Sequence, residues 1–484
     1  MKKSPLLALA SVGALIAALH AQTAPAASGN QILTADQILT LGAAASATAA
    51  PRAGRGPVAG VGGIKTVTTK TSYKFFFGAG DAPDGATKVA ADMTYNDTRG
   101  YGWDNTDAEN PAIKGVQPVT IVTKTESGKP DINVVTNDKQ FFFSAALAEG
   151  NYKVTVTLGH PGLATTQFVK SEVHRLSLEN ISTKPGEYVT KTFIVSVHTT
   201  AYDGGKVGIK APRESQQEAW SWDNGLTLEF SGDHPSVTAL AIEKVDVPTI
   251  YLIGDSTSCD QVLDPYSSWG GMITNFFKPE VAFCNLGESG ETLAGTLGEH
   301  RFDKVWSQMK PGEFLFLQFG HNDMKSTAAG ALDTFKANLH RVATETRNRK
   351  GNVVFVTPVR RANPNSGFQG YVEAMKEVAD EEKVPLLDLN AKSQILYDAF
   401  GGGETAHRLL FAVMTNGTMD PTHHNRLGSY EIAKTVLASM QDLKLDMAKY
   451  IVDGFHFDPA NPDSPDSFHV PESTHGAADK PPGS

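Results

Sequence analysis

Between Pro248 and Tyr450 five short apolar runs are separated by stretches of helical spacing, and no other feature limits the fold so sharply. The runs are TIYLIG (Thr249–Gly254), VAFCNLG (Val281–Gly287), EFLFLQFG (Glu313–Gly320), NVVFVTPV (Asn352–Val359) and VPLLDL (Val384–Leu389). Helical periodicity fills Ala331–Arg349, Tyr371–Glu382 and Gly428–Leu445. Strands apolar on both faces and joined by helices predict a doubly wound, flavodoxin-like α/β domain with a parallel sheet. Active sites in such sheets lie at the carboxyl ends of the strands. The polar residues after each run are therefore the first candidates for chemistry.

Upstream, from Tyr73 to Asp246, the pattern is β. The runs KFFFGAG (Lys74–Gly80), QFFFSAAL (Gln140–Leu147), YKVTVTLG (Tyr152–Gly159), VHRLSLEN (Val173–Asn180), KTFIVSVHT (Lys191–Thr199), KVGIKA (Lys206–Ala211) and GLTLEFSG (Gly225–Gly232) are short and rich in β-branched and aromatic residues. Turn residues such as Glu149-Gly150-Asn151 and Pro185-Gly186-Glu187 separate them. This predicts an antiparallel β-sandwich over 72–246, ahead of a catalytic domain over 247–452.

The two ends read differently. Met1-Lys2-Lys3 followed by the apolar stretch Leu6 to Leu19 is a signal-peptide pattern, giving residues 1–21 as an export signal and a secreted or periplasmic location. The Ala/Gly-rich stretch 22–71 is expected to be a linker without fixed structure, and so is the Pro-, Asp- and Ser-dense tail 453–484. A net charge of −10 with no Lys/Arg block beyond the start argues against nucleic acid or an anionic membrane as partner. Two cysteines in 484 residues exclude a disulfide scaffold and a Cys-rich zinc module. Cys259 and Cys284 are either one disulfide or two buried thiols.

Each strand end carries a candidate group. TIYLIG delivers Asp255-Ser256-Thr257, expected beside a helix N-terminus, where Ser256 is a nucleophile or only a cap. VAFCNLG is followed by Glu288-Ser289-Gly290-Glu291-Thr292, in which Gly290 can turn a backbone N–H toward a ligand. EFLFLQFG ends in His321-Asn322-Asp323, where the Asn322 amide is an oxyanion donor or a plain cap. The loop before the last helix holds Asp420-Pro421-Thr422-His423-His424, so Asp420 and His423 can both reach Ser256. Zinc on His423 and His424 is the competing reading; adjacent histidines make poor chelators and no third ligand is spaced for it.

The order Ser, Gly, Asn, Asp-x-x-His resembles the SGNH (GDSL-like) hydrolase superfamily. IGDSTS, NLGESGETL, LQFGHND, TPVRR and DPTHHNRLG resemble its rhamnogalacturonan acetylesterase branch, over Pro248 to Leu445. GYGWD, EGNYKVTVTLG, FIVSVHT and WSWDNGLTLEF resemble the carbohydrate-binding-like domain of some members. The resemblance implies Ser256 as nucleophile with His423 and Asp420. It implies an oxyanion hole from the N–H groups of Ser256 and Gly290 and the Asn322 side chain, with no cofactor and no metal. Glu291-Thr292 departs from the family's Arg-Ser and swaps charge near the site.

The implied function is a secreted serine esterase, a monomer, removing O-acetyl groups from a plant cell-wall polysaccharide, pectic rhamnogalacturonan first. The rivals are an acetylxylan, other glycan or lipid esterase of the superfamily, and a catalytically impaired carbohydrate-binding protein. Tyr101, Trp103, Trp220 and Trp222 could stack on sugar rings or belong to the sandwich core.

Overall fold

The computed structural model describes residues 63–77, 81–104, 119–124, 132–137, 139–363, 367–414 and 416–473. The export-signal segment and most of the proposed linker lie outside them. At the linker's end, Ile64 is buried and its N–H donates to Asp223 Oδ2 at 2.8 Å.

Two sheets form the N-terminal half. One runs in the order Val189–Val197, Gly150–Leu158, Ser236–Lys244, Ser72–Phe77, Thr87–Val89, with the hairpin Thr120–Lys124/Ile132–Thr136 attached to Ser236–Lys244. The other runs Tyr101–Trp103, Phe141–Ala146, Gly225–Asp233, Thr165–Ser171, Arg175–Thr183. All pairings are antiparallel except Ser72–Phe77 with Thr87–Val89. Alternation does the work in Gly150–Leu158: Tyr152, Val154, Val156 and Leu158 are buried, while the residues between them are not. Their partners across the core include Phe141, Phe143, Leu228 and Phe230. Trp103 and Trp220 belong to this core, so of the two readings of these aromatics, packing is the one observed. Trp222 is also turned inward, donating from Nε1 to Glu214 at 2.9 Å.

KVGIKA does not make the expected strand. Only Gly205–Lys206 pairs, with Ala201–Tyr202, and the chain then enters a π-helical turn over Arg213–Gln217. Lys210 and Arg213 are drawn away to anionic partners in the other half of the molecule, which overrides the β propensity of the run.

The parallel sheet has the order Ala282–Asn285, Thr249–Gly254, Phe314–Gln318, Asn352–Val356, Leu386–Leu387, the 2-1-3-4-5 order of doubly wound folds. Successive residues of the first strand face opposite layers. Ile250 and Leu252 pack with Trp269, Ile432 and Val436; Tyr251 and Ile253 pack with Phe302, Phe335 and Leu339. The helices Ala331–Asn348, Tyr371–Glu382 and Arg426–Asp442 supply much of those layers.

The two halves share a core. Phe168 and Leu176 of the second sheet sit among residues of the α/β layer, and Arg175 meets Asp260 in a buried ion pair at 2.7 Å. Residues 453–473 also belong to this packing, against the expectation of a tail without structure. Phe457 and Val470 are buried, Lys170 Nζ donates to the Pro471 carbonyl at 2.9 Å, and Ser473 Oγ donates to Glu229 Oε2 at 2.8 Å. Few apolar residues suffice there because the anchors are buried polar groups of the sandwich. No helix among the described residues is long and apolar enough to cross a membrane.

Candidate active site

The strand Thr249–Gly254 ends in a turn that closes on itself. The N–H groups of Ser258 and Cys259 donate to the Asp255 carbonyl at 2.9 and 3.0 Å, and Thr257 donates to Asp255 Oδ1 from both its N–H and its hydroxyl. This differs from the helix N-terminus expected beside Ser256: the next helix begins only at Trp269. Asp255 is fully buried. Burial would raise its carboxyl, yet His321 Nδ1 at 3.2 Å and the Thr257 donors hold it below the usual carboxylate range. The turn thereby keeps a fixed shape around Ser256.

Ser256 Oγ lies 2.8 Å from His423 Nε2, and His423 Nδ1 lies 3.0 Å from Asp420 Oδ2. All three are nearly buried. Asp420 Oδ1 accepts the N–H groups of Thr422 and His423 at 2.7 and 2.8 Å. Burial alone would push this carboxyl up; the His423 ring and those N–H groups bring it below its ordinary value. Asp420 and His423 stand on a strand, Met419–His424, rather than on the loop expected from the sequence. It pairs with Phe411–Val413, and the His424 carbonyl accepts Ser267 N–H at 3.0 Å. The next residue, Asn425, caps the last helix by accepting Gly428 N–H.

His424 does not share a ligand position with His423. Its ring is buried with its Nε2 2.7 Å from the Tyr397 hydroxyl and stacks against Phe411, and burial followed by the neighbouring His423 pushes it down to about 3. The two rings serve different partners, so this pair does not offer the geometry of a zinc site.

Gly290 and Asn322 line the same cavity of about 180 Å³ as Ser256, His423 and Asp420. Gly290 takes φ +78° in the turn Glu288–Glu291, the left-handed conformation that favours glycine at this corner. Asn322 Nδ2 donates to the Glu291 carbonyl at 2.9 Å, which fixes the amide and leaves its second N–H for a ligand. Asp323, pushed up to about 7 by burial, accepts Leu293 N–H and Gly320 N–H and pins this corner to its neighbour.

Glu291 is the departure the sequence flagged. It is buried, and its carboxylate pairs with Lys210 from the N-terminal half. Lys325, Arg361 and Thr422 also line the cavity and were not singled out from the sequence. TPVRR contains Arg361, so the motif carried a signal for it. Arg361 Nε donates to Thr422 Oγ1 at 3.0 Å, and Lys325 Nζ donates to Asn322 Oδ1 at 2.8 Å. Cys259 and Cys284 are separate buried thiols, beside Ser289 and His198 respectively.

Residues 252–427 match the GDSL-like lipase/acylhydrolase family, and residues 73–198 match the β-agarase/YXIM esterase-like, galactose-binding domain-like family. Over 218 residues the chain is 32% identical to rhamnogalacturonan acetylesterase RhgT of Bacillus subtilis (strain 168), covering 42% of this chain and 94% of that protein. It is 27% identical over 218 residues to the probable rhamnogalacturonan acetylesterase YesY of the same organism, covering 42% and 97%. With that organism's uncharacterized esterase YxiM it shares 24% identity over 402 residues, covering 79% of this chain and 94% of the relative.

Proposed function

The chain belongs to the GDSL-like lipase/acylhydrolase family and is a carboxylic ester hydrolase; from that premise we propose that it is a secreted serine esterase that removes O-acetyl groups from pectic rhamnogalacturonan. The observation that carries the reading is the buried relay Ser256–His423–Asp420, at 2.8 and 3.0 Å, opening onto a cavity also lined by Gly290 and Asn322.

The reaction is acyl transfer in two halves. His423 Nε2 takes the Ser256 proton as Oγ bonds to the ester carbonyl carbon. Asp420 holds the imidazole in the tautomer that presents a free Nε2 and stabilises the imidazolium that forms. The carbonyl oxygen becomes an oxyanion facing the N–H groups of Ser256 and Gly290 and the Asn322 amide. The C–O bond to the sugar breaks, and the sugar oxygen leaves with the proton from His423. Water, deprotonated by His423, then attacks the acetyl-Ser256 carbonyl, releasing acetate and the serine hydroxyl. No step calls for a metal or cofactor.

A cavity of about 180 Å³ suits an acetyl group rather than a long acyl chain. Lys325 and Arg361 give its wall two cations in a chain of net charge −10. A polymer with uronate carboxylates in its backbone has a use for them, and the uncharged xylose backbone of xylan does not. The name of the 32%-identical relative points the same way. The test is acetate release from acetylated rhamnogalacturonan and from acetylated xylan, wild type beside Ser256→Ala. Release from the pectic polymer that vanishes in the variant supports the reading. Release from xylan alone moves the substrate; release that survives in Ser256→Ala removes the nucleophile assignment.

A further inference from the structure

The turn that carries Gly290 is held from both halves of the molecule. Its hydrogen bond across the corner, Glu291 N–H to the Glu288 carbonyl, is long at 3.4 Å. Its own half adds neutral ties, Glu288 N–H to the Gly254 carbonyl at 3.0 Å and Asn322 Nδ2 to the Glu291 carbonyl at 2.9 Å, and the cationic ties come from the segment that follows the Gly205–Lys206 strand. Arg213 Nη2 donates to the Ser289 carbonyl at 2.7 Å and pairs with the Glu288 carboxylate. Lys210 Nζ reaches the same carbonyl at 3.4 Å and pairs with the Glu291 carboxylate. Gly290 is thus bracketed: the residue before it is tied through its carbonyl, and the residue after it through its side chain.

That segment is itself locked. Glu214 is fully buried and accepts Arg301 Nη2 at 2.6 Å, Trp222 Nε1 at 2.9 Å and the Lys210 N–H at 2.8 Å. Arg301 lies 5.4 Å from the Trp222 ring centroid and also reaches the Leu286 carbonyl at 3.3 Å, at the end of the strand leading into the turn. The path from Lys210 ends on the reacting centre, because the Glu291 carbonyl is the acceptor that orients the Asn322 amide. One residue, Glu291, joins two of the three oxyanion donors, Gly290 N–H and the Asn322 amide, to Lys210.

Resting on the esterase reading above, we propose that Lys210, with Arg213, is a positioning residue for the oxyanion hole, so that the N-terminal half completes the catalytic site instead of acting as a detachable binding module. Glu291 is the hydrolase side of that clamp. A buried carboxylate needs a cation, and the cation comes from the other half. Lys210 does not line the cavity; it acts through the aim of Gly290 N–H and Asn322.

The test uses the full chain, p-nitrophenyl acetate as a substrate too small to need a glycan surface, and Ser256→Ala as the blank. Lys210→Met should lower kcat roughly 10-fold while moving KM less than about 2-fold, as expected for a misaimed transition-state donor. Lys210→Arg should restore most of it; Lys210→Met leaves the Glu291 carboxylate buried without its cation and should lower the thermal midpoint, so turnover is read per folded molecule. The double variant Lys210→Glu/Glu291→Lys, which reverses the pair, should recover turnover relative to Lys210→Glu alone. An unchanged kcat in Lys210→Met overturns the clamp, and so does a loss no larger than the loss of folded protein. If Lys210→Met does not fold, the reversed pair decides: folded and active supports the clamp, folded and no better than Lys210→Glu overturns it. A wild type with no Ser256-dependent hydrolysis sinks the esterase reading and the clamp together, whereas an active wild type with an unaffected Lys210→Met sinks only the clamp.

Discussion

Two turns meet at the cavity, and they keep their shapes by different means. The Asp255–Cys259 turn is closed by its own residues: the Asp255 carbonyl takes two N–H groups and its carboxylate takes the Thr257 donors. Support from the sandwich begins only at Asp260, where Arg175 docks at 2.7 Å while Asn285 Nδ2 bonds to the other carboxylate oxygen at 3.0 Å. The Glu288–Glu291 turn has weak internal closure and is tied to Gly254 and Asn322 of its own half and to Lys210 and Arg213, about 80 residues earlier in the chain. In the mechanism proposed above the nucleophile stands on the self-closed turn. The proposed oxyanion side is the one with ion pairs to a separate part of the chain.

The largest effect expected tests the self-closed side. Ser256→Ala should cut acetate release by about 10⁴-fold or more with an unchanged melting curve, because the relay cannot form an acyl-enzyme without the hydroxyl. Retained activity would mean that another group is the nucleophile. Arg175→Met should break the comparison at its seam. It strands Asp260 in a buried place without its cation, costing about 3–5 kcal/mol in denaturant unfolding. Turnover per folded molecule should hold, since the turn around Ser256 closes without it. Unaltered stability would show that the ion pair contributes nothing net.

Asn322→Ala should lower kcat about 10²–10³-fold with little change in KM, the range for a lost oxyanion donor. A fall of less than about threefold would leave the amide as a mere tie to Glu291. The smallest effect concerns Glu229, which anchors Ser473. Burial raises its carboxyl, but Lys170 and His174 outweigh that and bring it to about 2, against an ordinary value of 4.5. A lowered folded-state value contributes stability above pH 4.5 that is lost as pH falls toward 2. Glu229→Gln should therefore be less stable than wild type at pH 6, with the gap closing over that interval in thermal melts. A gap that does not depend on pH would assign the effect to packing.

Much of this was legible in the chain itself. TIYLIG forms a strand with the predicted bounds, Thr249–Gly254, and Tyr371–Glu382 a helix with the predicted bounds, because unbroken apolar runs and helical spacing are local properties. The stretches holding Ser256, Gly290, Asn322 and Asp420/His423 do converge on one cavity. What was not legible shares a cause. KVGIKA has β composition yet gives up the sheet for ion pairs with residues far along the chain. The tail 453–473 has a disordered composition yet is held by Lys170, Glu229 and Asp264. The misread helix after Ser256 is an Asp255 turn instead.

The amino-acid sequence alone determined the two-part architecture, the strand ends where chemistry gathers and the residue types that reach it, since period, propensity and turn chemistry act over a few residues. Tertiary structure alone decided which cation answers Glu291, whether the aromatics of the sandwich face solvent or core, and that the last residues described are anchored. Those outcomes depend on burying charges and rings against partners tens to hundreds of residues away, and a buried charge is stable only where its counter-charge happens to arrive.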